Sequence, residues 1–302
     1  MNDYNAPDLL AFAASEAKEA YNYNSSKPKG FRVSRAGLPL LQLFVEDKLL
    51  PELPETVTKS SRPDLPSAMN IAVGYLFESA VFVKLKHQYP KATIHKNFDL
   101  QYHGIGGHCD FLVRDDTTKS VLIVECKAIR TFSKQEAEEE KLLVDNYGYF
   151  TQLSLYLAAA KELFPDYSVS GEWHVWAKPK DLSFVVEYPG SVFDAIEVAY
   201  AAVEKQKHYE TACSLYEQEQ FKAAADYLLN NTEPLPRKQI KFGTYCGSCS
   251  LHFVPVSKLL VDNTGKIVKN IKRNLQLLMI AAKVKNDKAI DVITKQTIGA
   301  NT

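Results

Sequence analysis

The sequence predicts an α/β protein: a mixed central sheet with helices packed against it and further helical segments at both ends. Three observations lead there. Residues 67–88 (SAMNIAVGYLFESAVFVKLKHQ) are a long apolar helical stretch that must stop before Pro90. Ser120–Lys127 contains Val-Leu-Ile-Val, the unbroken apolar run of a strand covered on both faces. Residues 171–178 (GEWHVWAK) and 182–188 (LSFVVEY) then alternate as a hairpin-like strand pair.

The elements follow in order. Residues 8–21 have helical spacing with many alanines, and a Pro/Ser/Lys-rich linker, Asn24–Gly30, comes next. Leu38–Leu50 is apolar and ends at Pro51. The four prolines of residues 51–66 (Pro51, Pro54, Pro63, Pro66) make that stretch an irregular connection. After the 67–88 helix come strands at Thr93–Tyr102, His108–Val113 and Ser120–Lys127, with turns at Gly104–Gly107 and Asp115-Asp116-Thr117. A long helix is expected over Gln135–Leu163, acidic at its start and apolar at its end, and residues 191–230 are helical again. The expected division is an N-terminal helical segment, 1–66, a core, 67–190, and a helical, basic C-terminal region, 191–302.

Composition narrows the classes. With 46% hydrophobic and 24% charged residues the chain is ordinary for a globular protein. It has no apolar run of the ~18 residues needed to span a bilayer, and no signal-peptide layout at its start. The cytoplasm of a bacterial or phage-infected cell is the expected location, with no membrane partner. Five cysteines (Cys109, Cys126, Cys213, Cys246, Cys249) do not make a secreted disulfide framework, so reduced thiols are expected. Net charge is zero, but nine Lys/Arg against three Asp give residues 258–302 a balance of +6, leaving −6 elsewhere. That asymmetry makes Lys269, Lys272 and Arg273, within a basic set that includes Lys266, Lys283 and Lys285, candidates for holding a polyanion.

The chemistry sits on two strands. Asp110 lies in Gly107-His108-Cys109-Asp110, and Glu125 and Lys127 lie in Glu125-Cys126-Lys127 at the end of the apolar strand. Alternation puts Glu125 and Lys127 on one face with Cys126 on the other. Ending so apolar a strand on two charges is costly unless they face a cleft or a metal. An adjacent antiparallel strand can bring Asp110 beside Glu125, and two close carboxylates call for a divalent cation. Oxygen ligands suit Mg²⁺ or Mn²⁺ rather than Zn²⁺. A lysine beside that ion can hold a nucleophilic water or stabilise charge on a phosphate, which is chemistry for phosphodiester hydrolysis. His108, two residues before Asp110, is read as structural, and Trp173 and Trp176 as core and sheet-edge aromatics.

These residues carry a resemblance. Gly107-His108-Cys109-Asp110 followed by Glu125-Cys126-Lys127 resembles the GhxD and (D/E)xK motifs of PD-(D/E)XK nucleases. Gln152-Leu153-Ser154-Leu155-Tyr156 is similar to the QxxxY motif of the RecB-like branch, and Gly74-Tyr75-Leu76-Phe77-Glu78 to the first motif helix. The resemblance implies a restriction-endonuclease-like fold and a Mg²⁺ or Mn²⁺ ion held by Asp110, Glu125 and the Cys126 backbone carbonyl. Glu78 would reach that ion directly or through water, and Lys127 would position the attacking water. Gln152 and Tyr156 would hold the lysine and the phosphate backbone. The implied activity is DNA hydrolysis, as an exonuclease in recombination, repair or phage DNA processing, acting on ends or single strands. A structure-specific endonuclease, or a non-catalytic DNA-binding protein on a nuclease fold, are the alternatives. Cys246-Gly247-Ser248-Cys249 resembles the C-terminal cysteine pair of the iron–sulfur members, but no cysteine precedes Cys109 and none follows Cys249. Two thiols do not hold a [4Fe–4S] cluster, and His252 adds only a third Zn²⁺ ligand, so no iron–sulfur cluster is expected.

Overall fold

The computed structural model describes residues 30–53, 64–129, 131–143, 148–178, 182–233, 259–260 and 268–284. The expected helix over 8–21, nearly all of the Asn24–Gly30 linker, the Cys246/Cys249 pair with His252, and Lys266 and Lys285 lie outside the described residues. The elements are α1 (Leu40–Phe44), α2 (Asp64–Gln88), β1 (Thr93–Tyr102), β2 (Ile105–Asp115), β3 (Ser120–Ile129), α3 (Lys134–Glu136), α4 (Tyr149–Leu163), β4 (Ser168–Ala177), β5 (Leu182–Glu187), α5 (Val192–Glu217), α6 (Phe221–Asn231) and α7 (Ile271–Val284). The chain is α/β as expected, and the described residues form a five-stranded sheet in the order β1-β2-β3-β4-β5. Only β3 and β4 run parallel; the other neighbours are antiparallel. This mixed sheet flanked by helices is compatible with a restriction-endonuclease-like fold. The described residues fall into two compact units. One comprises residues 64–145 and 149–202 with those up to Ser34; the other comprises 35–63, 146–148 and 203–302.

In the first unit the sheet is covered on both faces, which is why β3 is apolar from Val121 to Val124. Val81 and Leu85 of α2 pack with Phe111, Val113 and Val124, and Phe77, Phe82, Leu122 and Cys126 extend that layer. On the other face α4 crowds β4 so closely that a Cβ at Gly171 would sit 3.0 Å from Leu157 and 3.1 Å from Leu153. Trp173 is fully buried there, stacked on Phe150 with centroids 6.5 Å apart, whereas Trp176 lies toward α2, 6.1 Å from the Phe77 ring.

Several boundaries differ from expectation. α2 begins at Asp64, so Pro66 lies in its first turn rather than in the connection. A proline costs little there, because the first amides of a helix have no intrahelical partner. The β1–β2 turn is His103-Gly104, both at positive φ (45° and 89°), the two-residue turn that suits twisted strands, and β2 therefore starts at Ile105. The helix expected over Gln135–Leu163 is two pieces. α3 is capped by Ser133, whose side chain accepts from Glu136 N–H, and it continues only as wider turns to Leu142. Gly148, at φ 74°, then stands immediately before α4, in a backbone state that suits glycine. Residues 191–230 break likewise, with Glu219 at φ 59° between α5 and α6.

In the second unit the N-terminus of α1 is closed by the end of α6: Leu40 N–H donates to Glu233 Oε2 at 3.0 Å and Leu41 N–H to Thr232 Oγ1 at 3.0 Å. Arg35 pairs with Glu46 at 2.8 Å and also with Asp47. α7 buries Leu275, Leu278, Met279 and Ala282 while Lys272, Arg273 and Lys283 face outward. Among the described residues no helix is long and apolar enough to cross a membrane, and the described cysteines, Cys109, Cys126 and Cys213, are free thiols.

Candidate active site

β2 and β3 pair from Asp115↔Ser120 up to Phe111↔Val124 and then part. The next two residues are Asp110 and Glu125. At this fork side chains take over the work of the strand ladder: Cys126 N–H donates to Asp110 Oδ2 at 2.6 Å, and Asp110 N–H points to Glu125 Oε1 at 3.4 Å. The β1–β2 ladder keeps its register here but lacks the pair of Asn97 with Asp110, between Lys96↔Phe111 and Phe98↔Cys109, where Asn97 takes φ 50°. β3 keeps its register with β4 through Glu125↔Trp173 and Lys127↔Val175, so the end of β3 stays paired on that side after its pairing with β2 has ended.

Lys127 is held from two elements. Its Nζ donates to Glu125 Oε2 at 2.7 Å and to Gln152 Oε1, from α4, at 3.0 Å, and it lies 5.0 Å from the centre of the Tyr149 ring. Glu125 is 1% exposed, so this pair is buried together. Tyr156, one turn beyond Gln152, donates from its hydroxyl to His108 O at 2.6 Å. The His108 ring is exposed and its Nδ1 is 2.5 Å from Asp99 Oδ1. It is the backbone carbonyl of His108, not the ring, that ties the first half of β2 to α4.

Gly107 shows why that segment needs a glycine. A Cβ there would fall 2.8 Å from Val33 Cβ and 2.9 Å from the Tyr156 hydroxyl. Gly107→Ala is therefore expected to displace Tyr156 from His108 and destabilise the protein by about 1–3 kcal/mol, the usual cost of overpacking. Urea denaturation checks this, and a midpoint equal to wild type would contradict the close approach.

The electrostatics single out the same residues. Burial, then the charges of Asp110 and Glu125, push the Glu78 carboxyl of α2 up to about 8 against the partial relief of Lys96 and Lys127. Burial and the Asp110 charge raise Glu125 to about 7, and burial raises Asp110 as well. Burial pulls the Lys127 ammonium down, but Glu125 and Asp110 outweigh it and hold it above its ordinary value. Burial raises the Tyr156 hydroxyl, and the Glu125 charge adds to this. Three carboxylates thus repel one another in a site where burial makes their charge costly.

An all-oxygen set that is short of positive charge fits a hard divalent cation: Asp110 and Glu125 with the Cys126 carbonyl, and Glu78 approaching from α2. Among the described residues no group of three or more His, Cys, Asp or Glu side chains is arranged to hold a metal ion.

All six residues expected from the strand and helix motifs fall in this region. Lys269, Lys272 and Arg273 lie in the other unit, at and just before the start of α7. Lys272 pairs with Asp226 of α6, while Lys269 and Arg273 are exposed. Two site residues had no signal in the motifs. Lys96 faces Glu78 and Asp110 from β1, opposite Phe111, whose ring stacks on Phe82, one turn from Glu78, at 5.8 Å. Tyr149 stands over Lys127 from the first position of α4.

No family model matches the chain, and no curated protein matches it. Among solved structures, a crystal structure of a protein called SSO0001 aligns at a TM-score of 0.37 with 12% identity, covering 67% of this chain and 88% of that one. At that level neither fold nor activity transfers.

Proposed function

We propose that this chain is a Mg²⁺- or Mn²⁺-dependent deoxyribonuclease, acting as an exonuclease in DNA recombination, repair or phage DNA processing in the cytoplasm. The observation that carries the reading is the convergence of Asp110, Glu125 and Lys127 at the β2–β3 fork, with Lys127 braced by Gln152. Acid, acid and a braced lysine match phosphodiester hydrolysis better than any other chemistry these residue types perform.

Asp110, Glu125 and the Cys126 carbonyl would hold the ion. When bound, it supplies Lewis-acid polarisation of the phosphate and a more acidic water. The chain's own groups do the rest. Lys127 has three N–H bonds, two of them committed to Glu125 and Gln152, which leaves one to orient an attacking water or to meet charge developing on the phosphate. Its raised pKa keeps it protonated at neutral pH, so it acts as a donor and fixed charge rather than as a base. Glu78, the most easily protonated acid of the cluster, would approach the ion directly or through water, and while it keeps its proton it would act as a donor.

Linear, nicked and closed-circular DNA incubated with Mg²⁺, Mn²⁺ or EDTA tests the reading. Cleavage of the linear form with either metal and none with EDTA is the expected result; closed circles cut at the same rate would replace exonuclease with endonuclease, and no cleavage of any form would end the proposal.

DNA binding has its own test. Lys269 and Arg273 are exposed at the start of α7, and Lys272 is already paired with Asp226. Replacing Lys269 and Arg273 with Ala is expected to flatten the log–log salt dependence for duplex DNA by about two units, near 0.9 per lost phosphate contact. Affinity should weaken equally for all sequences. A salt slope equal to wild type would show that these cations only solvate the surface.

A further inference from the structure

The environment of the Lys127 ammonium has a third wall that no motif residue supplies. Its Nζ donates to Glu125 Oε2 at 2.7 Å and to Gln152 Oε1 at 3.0 Å, and the ring of Tyr149 faces it with the centroid at 5.0 Å. A lysine stem has four flexible carbons, and its ammonium is a tripod of donors. Two acceptors alone leave the group free to rock about the line joining them, and the third N–H then sweeps an arc. An aromatic face within about 6 Å attracts a cation without consuming one of its hydrogen bonds. It is therefore suited to stop that motion while leaving the third donor for substrate.

The backbone is arranged to bring the ring there. Gly148 takes φ 74°, which lets the chain turn into α4 with Tyr149 as the first helical residue. Tyr149 and Gln152 are three apart, so both lie on the α4 face that meets Lys127. One helix end thus supplies two of the three restraints, and β3 supplies the other.

We propose that Tyr149 is a positioning residue for Lys127, its ring face holding the ammonium so that the third N–H is directed at the reacting phosphate or its water. This rests on the nuclease reading. Tyr149 contributes through its ring and not through its hydroxyl, and it is not needed for DNA to bind.

Tyr149→Phe keeps the ring and removes the hydroxyl; Tyr149→Leu removes the ring at a similar length. On linear DNA with Mg²⁺ the Leu variant is expected to lose about ten- to thirty-fold in kcat, the size of a desolvated cation–π contact. Its KM, and its Kd for DNA measured in Ca²⁺, should stay within about two-fold of wild type, and the Phe variant should match wild type in all three. A second measurement needs neither metal nor DNA. With Nζ over the ring, the adjoining Lys127 ε-methylene protons should be shifted upfield in the NMR spectrum of wild type and Tyr149→Phe, and return to ordinary values in Tyr149→Leu.

A Leu variant with wild-type kcat overturns the proposal, and so does a Phe variant that loses as much as Leu, which would assign the role to the hydroxyl. If the Leu variant does not fold, unshifted Lys127 protons in wild type decide against it. A wild type that cleaves no DNA ends the nuclease reading itself; an active wild type beside an undiminished Leu variant ends only this one.

Discussion

Lys127→Ala is expected to lower Mg²⁺-dependent DNA cleavage about a thousandfold or more, the scale of losing a preorganised charge aimed at the transition state. DNA should still bind, because a single phosphate contact carries only a small share of affinity for a polyanion. Asp110→Asn and Glu125→Gln are expected to be comparably inactive, since each keeps the shape but removes a negative charge owed to the cation. Asn can still accept from Cys126 N–H, whereas Gln keeps one of the two acceptors that Glu125 offers. The isosteric changes are the better test. Asp110→Ala would also strip Cys126 N–H of the partner it has at 2.6 Å, and Glu125→Ala would leave a buried Lys127 with only Gln152. Those alanine variants mix chemistry with folding; Asp110→Asn separates them, while Glu125→Gln keeps the volume but still leaves the Lys127 charge without its carboxylate. Single-turnover cleavage of end-labelled DNA is the measurement, with circular dichroism as the folding control. A Glu125→Gln enzyme working at near wild-type speed would remove the metal site from the account.

Without metal, thermal stability is expected to fall as pH rises from about 5 to about 8. Glu125 and Glu78 are held near 7 and near 8, against an ordinary 4.5. Over that window the folded protein keeps protons that the unfolded chain releases, so raising the pH favours unfolding. Lys127 adds no slope there, because its raised pKa keeps it charged in both states. The two carboxyls together amount to on the order of 5 kcal/mol, or roughly 10–20 °C in Tm. Saturating Mg²⁺ should remove most of this slope by supplying the missing charge, and Glu125→Gln in EDTA should remove part of it. Calorimetry across the range in EDTA and in Mg²⁺ gives the answer. An apo protein whose Tm rises over pH 5–8 would mean that these carboxyls are not short of positive charge.

What could be seen in the sequence follows from periodicities that act over a few residues. Alternation along Ser120–Lys127 places Glu125 and Lys127 together, and the four-residue spacing of Gln152 and Tyr156 puts both on one face of a helix. The meeting of Asp110 with Glu125 was also legible, because two antiparallel strands joined by a short Asp-rich turn bring those positions into register. Lys96 and Tyr149 were not. Lys96 comes to the site because Asn97 adopts φ 50° and because α2 crosses the sheet at Phe82, and neither is written in local spacing. Tyr149 was hidden inside an expected continuous helix: the leucines at 142 and 143 keep helical spacing with those of α4, and a lone glycine is tolerated within a helix. The pairing of Lys272 with Asp226 belongs to the same class, since it depends on how α6 and α7 pack.

The fork between β2 and β3 also has a meaning for how such a chain changes over generations. Asp110 serves the backbone through Cys126 as well as any chemistry, so a lineage released from catalysis would still be selected to keep a side chain that accepts there. Glu125 and Lys127 stand differently. Each is buried and each is the other's main counter-charge, so substituting either alone strands a charge at a cost of about 3–5 kcal/mol, whereas replacing both with apolar residues can be neutral. Drift away from function would therefore cross a valley at the first of those two steps and recover at the second. The pair is inherited, or lost, as one unit.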